Sequence, residues 1–225
     1  MKPIPSTAIE TVSGRIVDFN NLKPEDFQIK DIAWSISREP RFSGHTVLPL
    51  PYSVGQHSTE VARLVLEAFN TRSLLHSHAM NHFANNSDVR VWIMALSDSA
   101  SCSWVGLLGL LHDGSEAYLR DLSSPIKNLP GLKEAYMALE TKVMDQILIQ
   151  FGLHDRPNLR LAWELVHWAD IYARSVEVHW LMPSRGAHWP KGVRMDDVDL
   201  ERFIQPKPHL EVYDAFLAEF ERLSA

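Results

Sequence analysis

The sequence predicts an all-α protein, and three observations predict it. Apolar residues recur at helical spacing in several long segments, no series of alternating strands appears, and clusters of Pro and Gly divide the helical segments from one another. With 225 residues, 45% of them hydrophobic, the chain has enough apolar surface for one sizeable core, so a single domain spanning 1–225 is expected.

Residues 1–28 contain Pro3, Pro5, Gly14 and Pro24 and read as an irregular arm with room for a short strand at Arg15–Phe19. Phe27, Ile29, Ile32, Ala33 and Ile36 then form a helical stripe that ends near Arg38-Glu39-Pro40. Residues 38–56 are too rich in Pro and Gly for regular structure, yet they hold Arg38, Arg41, Phe42 and His45. The next helix carries Val61, Leu64, Val65, Ala68 and Phe69 on one face, with His57 in its first turn.

Residues 70–101 form an insertion in which His76, His78 and His82 lie among asparagines. Those surroundings lack the apolar shell that keeps metal ligands rigid and favour a solvated helical insertion over a metal site. Asp88–Leu96 is apolar enough to pack, and a Ser or Asp in Ser97–Ser101 is placed to cap a helix from Trp104 to about Tyr118. Pro125 and Pro130 break the chain before a long helix, Leu132–Phe151, and another follows over 159–182. That second helix contains Asp170 and, seven residues later on nearly the same face, Glu177. The tryptophans at 163, 168 and 180 read chiefly as core packing rather than as a dimer contact. Residues 183–208 read as a long C-terminal loop, followed by a final helix over about 210–223.

Composition narrows the function classes. A formal charge of −6 and a pI near 6.0 give no overall attraction to duplex nucleic acid. A single cysteine, Cys102, removes an intramolecular disulfide and a thiolate zinc cluster, which fits a reducing cytoplasm. The N-terminus lacks a basic start with a long apolar run, and no stretch approaches about 18 apolar residues. A cytoplasmic protein with no membrane span is expected.

The segment around which the chain is organised is Leu107-Leu108-Gly109-Leu110-Leu111-His112-Asp113-Gly114-Ser115-Glu116. An apolar run delivers an imidazole and a carboxylate to the edge of a dry core, where charge needs a partner. His57, His112, Asp113 and Asp170 together offer two nitrogens and two carboxylates, a set that suits one divalent ion (Co, Mn, Mg, Zn or Fe). Such an ion assists hydrolysis of a phosphoester. Glu116, three residues past Asp113, is placed to orient or deprotonate water, and Asp121 to protonate the leaving oxygen or position the nucleophile. Arg38, Arg41 and Lys127 are candidates for holding phosphate oxygens.

The order His57, His112-Asp113, Asp170 resembles the HD-domain metal-dependent phosphohydrolases. The run from His112-Asp113 through Glu116 and Asp121 to Pro125-Ile126-Lys127 is similar to that of their 5′-deoxynucleotidase branch. Arg41-Phe42, ahead of His57, resembles the Arg-aromatic pair of that branch and of phage enzymes that hydrolyse dATP. The likeness spans about residues 30–180 and implies an all-helical HD-domain bundle, a bound divalent metal and a nucleotide substrate. It further implies catalytic roles for Glu116 and Asp121, a phosphate contact for Arg41, base or sugar stacking for Phe42, and a homo-oligomer. Removal of phosphate from deoxynucleoside monophosphates is the leading expectation, with dNTP triphosphohydrolysis as the alternative within the class. A nucleotide-binding regulatory protein that keeps the metal site is the alternative from another class. The insertion at 70–101 and the long segment at 183–208 depart from the small deoxynucleotidases, so the choice of nucleotide does not transfer.

Overall fold

A computed structural model describes residues 3–97, 99–189 and 204–225. The N-terminal arm contains a small antiparallel hairpin, β1 (Ala8–Glu10) with β2 (Ile16–Asp18), in which Ile9 faces Val17. Both faces of so small a ribbon cannot be buried by itself, and a side chain from the next element fastens it. Asp31, in α1 (Ile29–Ile36), is buried and accepts hydrogen bonds from the Thr11 and Ser13 hydroxyls at 2.9 and 2.7 Å and from the Ser13 amide at 3.1 Å. The arm expected to be irregular is therefore ordered by one carboxylate.

The helices follow as α2 (Val54–Phe69), α3 (Leu74–His82), α4 (Ser87–Leu96), α5 (Ser103–Leu111), α6 (Glu116–Leu119), α7 (Ser124–Lys127), α8 (Lys133–Gln150), α9 (Leu159–Leu181) and α10 (His209–Ser224). The all-α expectation holds. Helix α2 is the centre of the bundle, packed on α5, α9, α10 and α3. Its start is fixed by Ser53, whose Oγ accepts from the Gln56 amide and so satisfies one of the first-turn donors. Helix α5 is apolar on every side, and Val105 through Leu111 are all buried, as a helix through the middle of a core must be. It approaches α2 closely because Gly109 lies against the Ala62 backbone: a Cβ there would come within 3.2 Å of Ala62 Cα.

Three elements differ from the expectation. The helix foreseen from Trp104 to about Tyr118 is two helices, α5 and α6, joined at residues 112–115. The backbone there stays near helical dihedrals but switches to i−3 hydrogen bonds, Gly114 to Leu111 and Glu116 to Asp113, the tighter pattern of a 3-10 turn. Pro125 does more than break the chain, since it occupies the first turn of α7, where a missing amide hydrogen costs nothing. The insertion is helical but not merely solvated. Ala79, Phe83, Val89, Trp92 and Ile93 are in the core, and buried His76 donates its Nδ1–H to the Ala68 carbonyl at 2.7 Å.

Other expectations are borne out. Trp168 is buried and Trp163 and Trp180 pack partly buried against the core. The long helix expected over Leu132–Phe151 is α8, but only its second half is buried, at Val143, Ile147 and Leu148. The expected loop over 183–208 lies partly outside the described residues, as does Asp98 of the expected capping segment; residues 183–189 are turns, and 204–208 have no regular structure. Among the described residues no helix is long and apolar enough to cross a membrane.

Candidate metal centre

Three helices and one turn meet at the mouth of the bundle. His57 comes from the first turn of α2 and is fully buried; His112 and Asp113 follow the end of α5; Asp170 lies midway along α9. The structure therefore brings three of the four expected ligands, His57, His112 and Asp113, into one group and sets the fourth, Asp170, against His57. His57 Nε2 is 3.2 Å from Asp170 Oδ1 and 3.6 Å from Asp113 Oδ2, and His112 Nε2 is 3.2 Å from Asp113 Oδ2. Ligand atoms of His57, His112 and Asp113 all lie within 4.8 Å of one another, with Asp170 adjoining through its contact to His57.

These separations suit a common cation. Two bonds of about 2.1 Å meeting at a right angle place their ligand atoms about 3.0 Å apart. The imidazole tautomers agree with this. His112 Nδ1 is 2.8 Å from the Gly109 carbonyl, an acceptor only, so Nδ1 donates there and Nε2 is left to face the carboxylates. His57 Nδ1 is 2.6 Å from Glu177 Oε1. Both Nε2 atoms are buried and neither has an aligned hydrogen-bond partner. A pair of orphaned nitrogens pointing at two carboxylates is an arrangement that a divalent ion satisfies.

The electrostatics point the same way. Burial and Arg41 oppose a charge on His57, but Glu177 and Asp170 outweigh them and raise it to about 9. In the metal-free site a proton thus stands where a cation would. Burial works against the Asp113 carboxylate, yet His112 and His57 hold it down to about 2, and Asp170 is likewise held well below the usual range despite its burial.

Around this centre lie the other expected residues except Arg38. Arg41 is buried; Nε donates to Glu177 Oε2 at 2.9 Å and NH1 is 3.6 Å from Asp113 Oδ2. Glu116, in α6, is buried and pushed well above its usual range by burial first and then by Asp113 and Asp121. Asp121 is also raised, by burial and by Asp113, against the pull of Arg41. Its amide donates to Glu39 Oε1 at 3.2 Å, which fixes the chain just past α6. Lys127 Nζ is 3.9 Å from Glu116 Oε1 but donates to Glu140 Oε1 at 2.8 Å, so its charge is directed mainly at Glu140. Arg38 is placed elsewhere: exposed, it stacks 3.8 Å over the Trp34 ring and reaches His209 on α10 at 3.2 Å. His45 lies in an exposed loop, and His82 lines a separate cavity of about 350 Å³ with His167 and Glu164.

Phe42 owes its position to an unusual turn. Phe42, Ser43 and Gly44 all have positive φ (56°, 52° and 77°), and non-glycine residues hold that conformation only when their surroundings impose it. Here Arg41 N donates to the Tyr52 carbonyl and His45 N to that of Phe42, so Arg41 turns inward while Phe42 stays half-buried beside it. The Phe42 ring meets Trp189 edge to face at 5.6 Å. Sequence reasoning missed Trp189, because a contact across 147 positions between two loops leaves no periodic signal. It noticed Glu177 only as a face-mate of Asp170; its two contacts are tertiary.

No protein-family model matches the chain. It is similar to the uncharacterized protein YfdR of Escherichia coli (strain K12), with 26% identity over 216 residues, 96% of this chain and 95% of that protein. It is also similar to an uncharacterized protein of Rhodobacter capsulatus, with 28% identity over 142 residues, covering 63% of this chain and 57% of that one. Neither relative's name carries an activity, so the function is argued from the site.

Proposed function

We propose that the protein is a divalent-metal-dependent phosphohydrolase of (deoxy)nucleotides, removing the phosphate from 5′-deoxynucleoside monophosphates. The observation that carries this reading is the pair of buried Nε2 atoms of His57 and His112, neither with an aligned hydrogen bond, facing Asp113 and Asp170 beside a buried arginine and two carboxyls with raised pKa. His57, His112, Asp113 and Asp170 would hold the ion, which supplies Lewis acidity and charge neutralisation at the phosphoryl group. Arg41, its Nε edge occupied by Glu177, presents its terminal nitrogens on the Asp113 side, where a phosphate oxygen would be received.

Glu116 and Asp121 carry the protons. The elevation of Glu116 comes first from burial and then from Asp113 and Asp121, so a cation beside Asp113 would lower it and favour the carboxylate form that takes a proton from water. Asp121, raised by burial, gives a proton to the leaving 5′ oxygen. Phe42 and Trp189 form an aromatic corner suited to a base or sugar face.

The test is product analysis with metal-stripped protein reloaded with Co²⁺, Mn²⁺, Mg²⁺ or Zn²⁺. Orthophosphate released from dNMPs is expected. Intact triphosphate released from dNTPs would move the assignment to a triphosphohydrolase. Hydrolysis of neither would overturn it, and a regulatory nucleotide-binding role would then have to account for the site. Glu116→Ala should keep cation binding and lose turnover; an equally active variant would remove that residue from the mechanism.

A further inference from the structure

We propose that Glu177 is a positioning residue that locks the cation site and the anion-binding arginine into one fixed relation. It rests on the reading of the site as one for a cation and a phosphate. Glu177 is fully buried on α9, two turns beyond Asp170. One of its oxygens takes His57 Nδ1 at 2.6 Å and the other takes Arg41 Nε at 2.9 Å.

Each contact has a separate consequence. With Nδ1 bound to a carboxylate, the His57 ring is held so that Nε2 faces Asp170 and Asp113. With Nε bound, the planar guanidinium has one orientation left, which puts NH1 on the Asp113 side. Since a single carboxylate serves both, a shift of one site moves the other. The same helix also carries Asp170, so α9 sets three of the distances on which the centre depends.

A glutamine cannot do this. Its side chain offers one carbonyl oxygen and one NH₂ group, whereas His57 Nδ1–H and Arg41 Nε–H both need an acceptor. In E177Q one of the two donors meets another donor. Removing Arg41 as well leaves only one donor, which the introduced amide carbonyl can accept. The pair R41M/E177Q is also uncharged, and exchanging a buried ion pair for neutral side chains of similar volume is usually tolerated.

The experiment titrates metal-stripped full-length protein with Co²⁺, following heat and visible absorbance, and separately titrates the Co²⁺-loaded protein with inorganic phosphate. Wild type should bind one Co²⁺ per chain. E177Q should bind it about 10–100-fold more weakly, while R41M/E177Q should recover most of that affinity and lose phosphate binding. R41M/E177A, equally neutral but without an acceptor for Nδ1, should again be about 10–100-fold weaker than R41M/E177Q. This last comparison stands even if E177Q alone does not fold. Equal Co²⁺ affinity in the two double variants, or an E177Q within twofold of wild type, would overturn the proposal while leaving the cation site intact. Absence of 1:1 Co²⁺ binding in wild type would instead overturn the reading of the site on which it rests.

Discussion

Taking the pH of the metal-free protein from 7 to 9 should destabilise it, and the reason is a proton on His57. An unfolded histidine titrates near 6.5, whereas the folded value is raised to about 9 because Glu177 and Asp170 more than offset burial and Arg41. A raised histidine contributes stability that is fully present below the unfolded value and is lost as pH climbs through the folded one. The window is therefore about 6.5 to 9, and across it the slope is about 1.4 kcal/mol per pH unit, or about 3 kcal/mol in all. Glu60, raised by burial to about 7 against the pull of Arg63, acts in the same direction but is finished near pH 7. Urea unfolding of chelator-treated protein at half-unit pH steps measures this directly, provided m stays constant. Saturating Co²⁺ should abolish or reverse the slope, because the cation competes with that proton and stabilises more as pH rises. A metal-free stability that stays level within about 1 kcal/mol over this range would refute the claim that the Glu177 and Asp170 carboxylates hold a proton in the cation's place.

Three further outcomes follow from particular contacts. Asp170→Ala should flatten the same pH slope and weaken Co²⁺ binding more than tenfold, read by titration calorimetry, since it removes both a ligand and a partner of His57. Gly109→Ala gains about 1 kcal/mol of helix propensity but places a methyl 3.2 Å from the Ala62 backbone, and overpacking costs about 1–3 kcal/mol. A lower melting temperature with weaker Co²⁺ binding is expected, because the Gly109 carbonyl also orients His112; a higher melting temperature would contradict the close α2–α5 contact. Asp31→Ala should cost about 1–3 kcal/mol and open the N-terminal hairpin to proteolysis, as it leaves the Thr11 and Ser13 donors without their acceptor; unchanged protection of that segment would show that the hairpin is held by other contacts.

The sequence by itself determined the main helices and named the candidate ligands. Periodic apolar residues announce α2, α5 and α9 because burying one face of a helix imposes a repeat, and α5 delivers His112-Asp113 because an all-apolar helix must end where the core ends. It failed at 112–115, where helical dihedrals persist but the hydrogen bonds shorten by one residue, a change no composition signals. Tertiary structure alone decided which polar side chains share a partner. Arg38 and Arg41 are equivalent in sequence, yet a turn of three positive-φ residues sends Arg41 inward to Glu177, while Arg38 stacks on Trp34 at the surface. Hydrophobic burial is read along one element, and it leaves its period in the chain. A hydrogen bond between residues 57 and 177 or 41 and 177 depends on how three elements pack, and only the folded molecule records it.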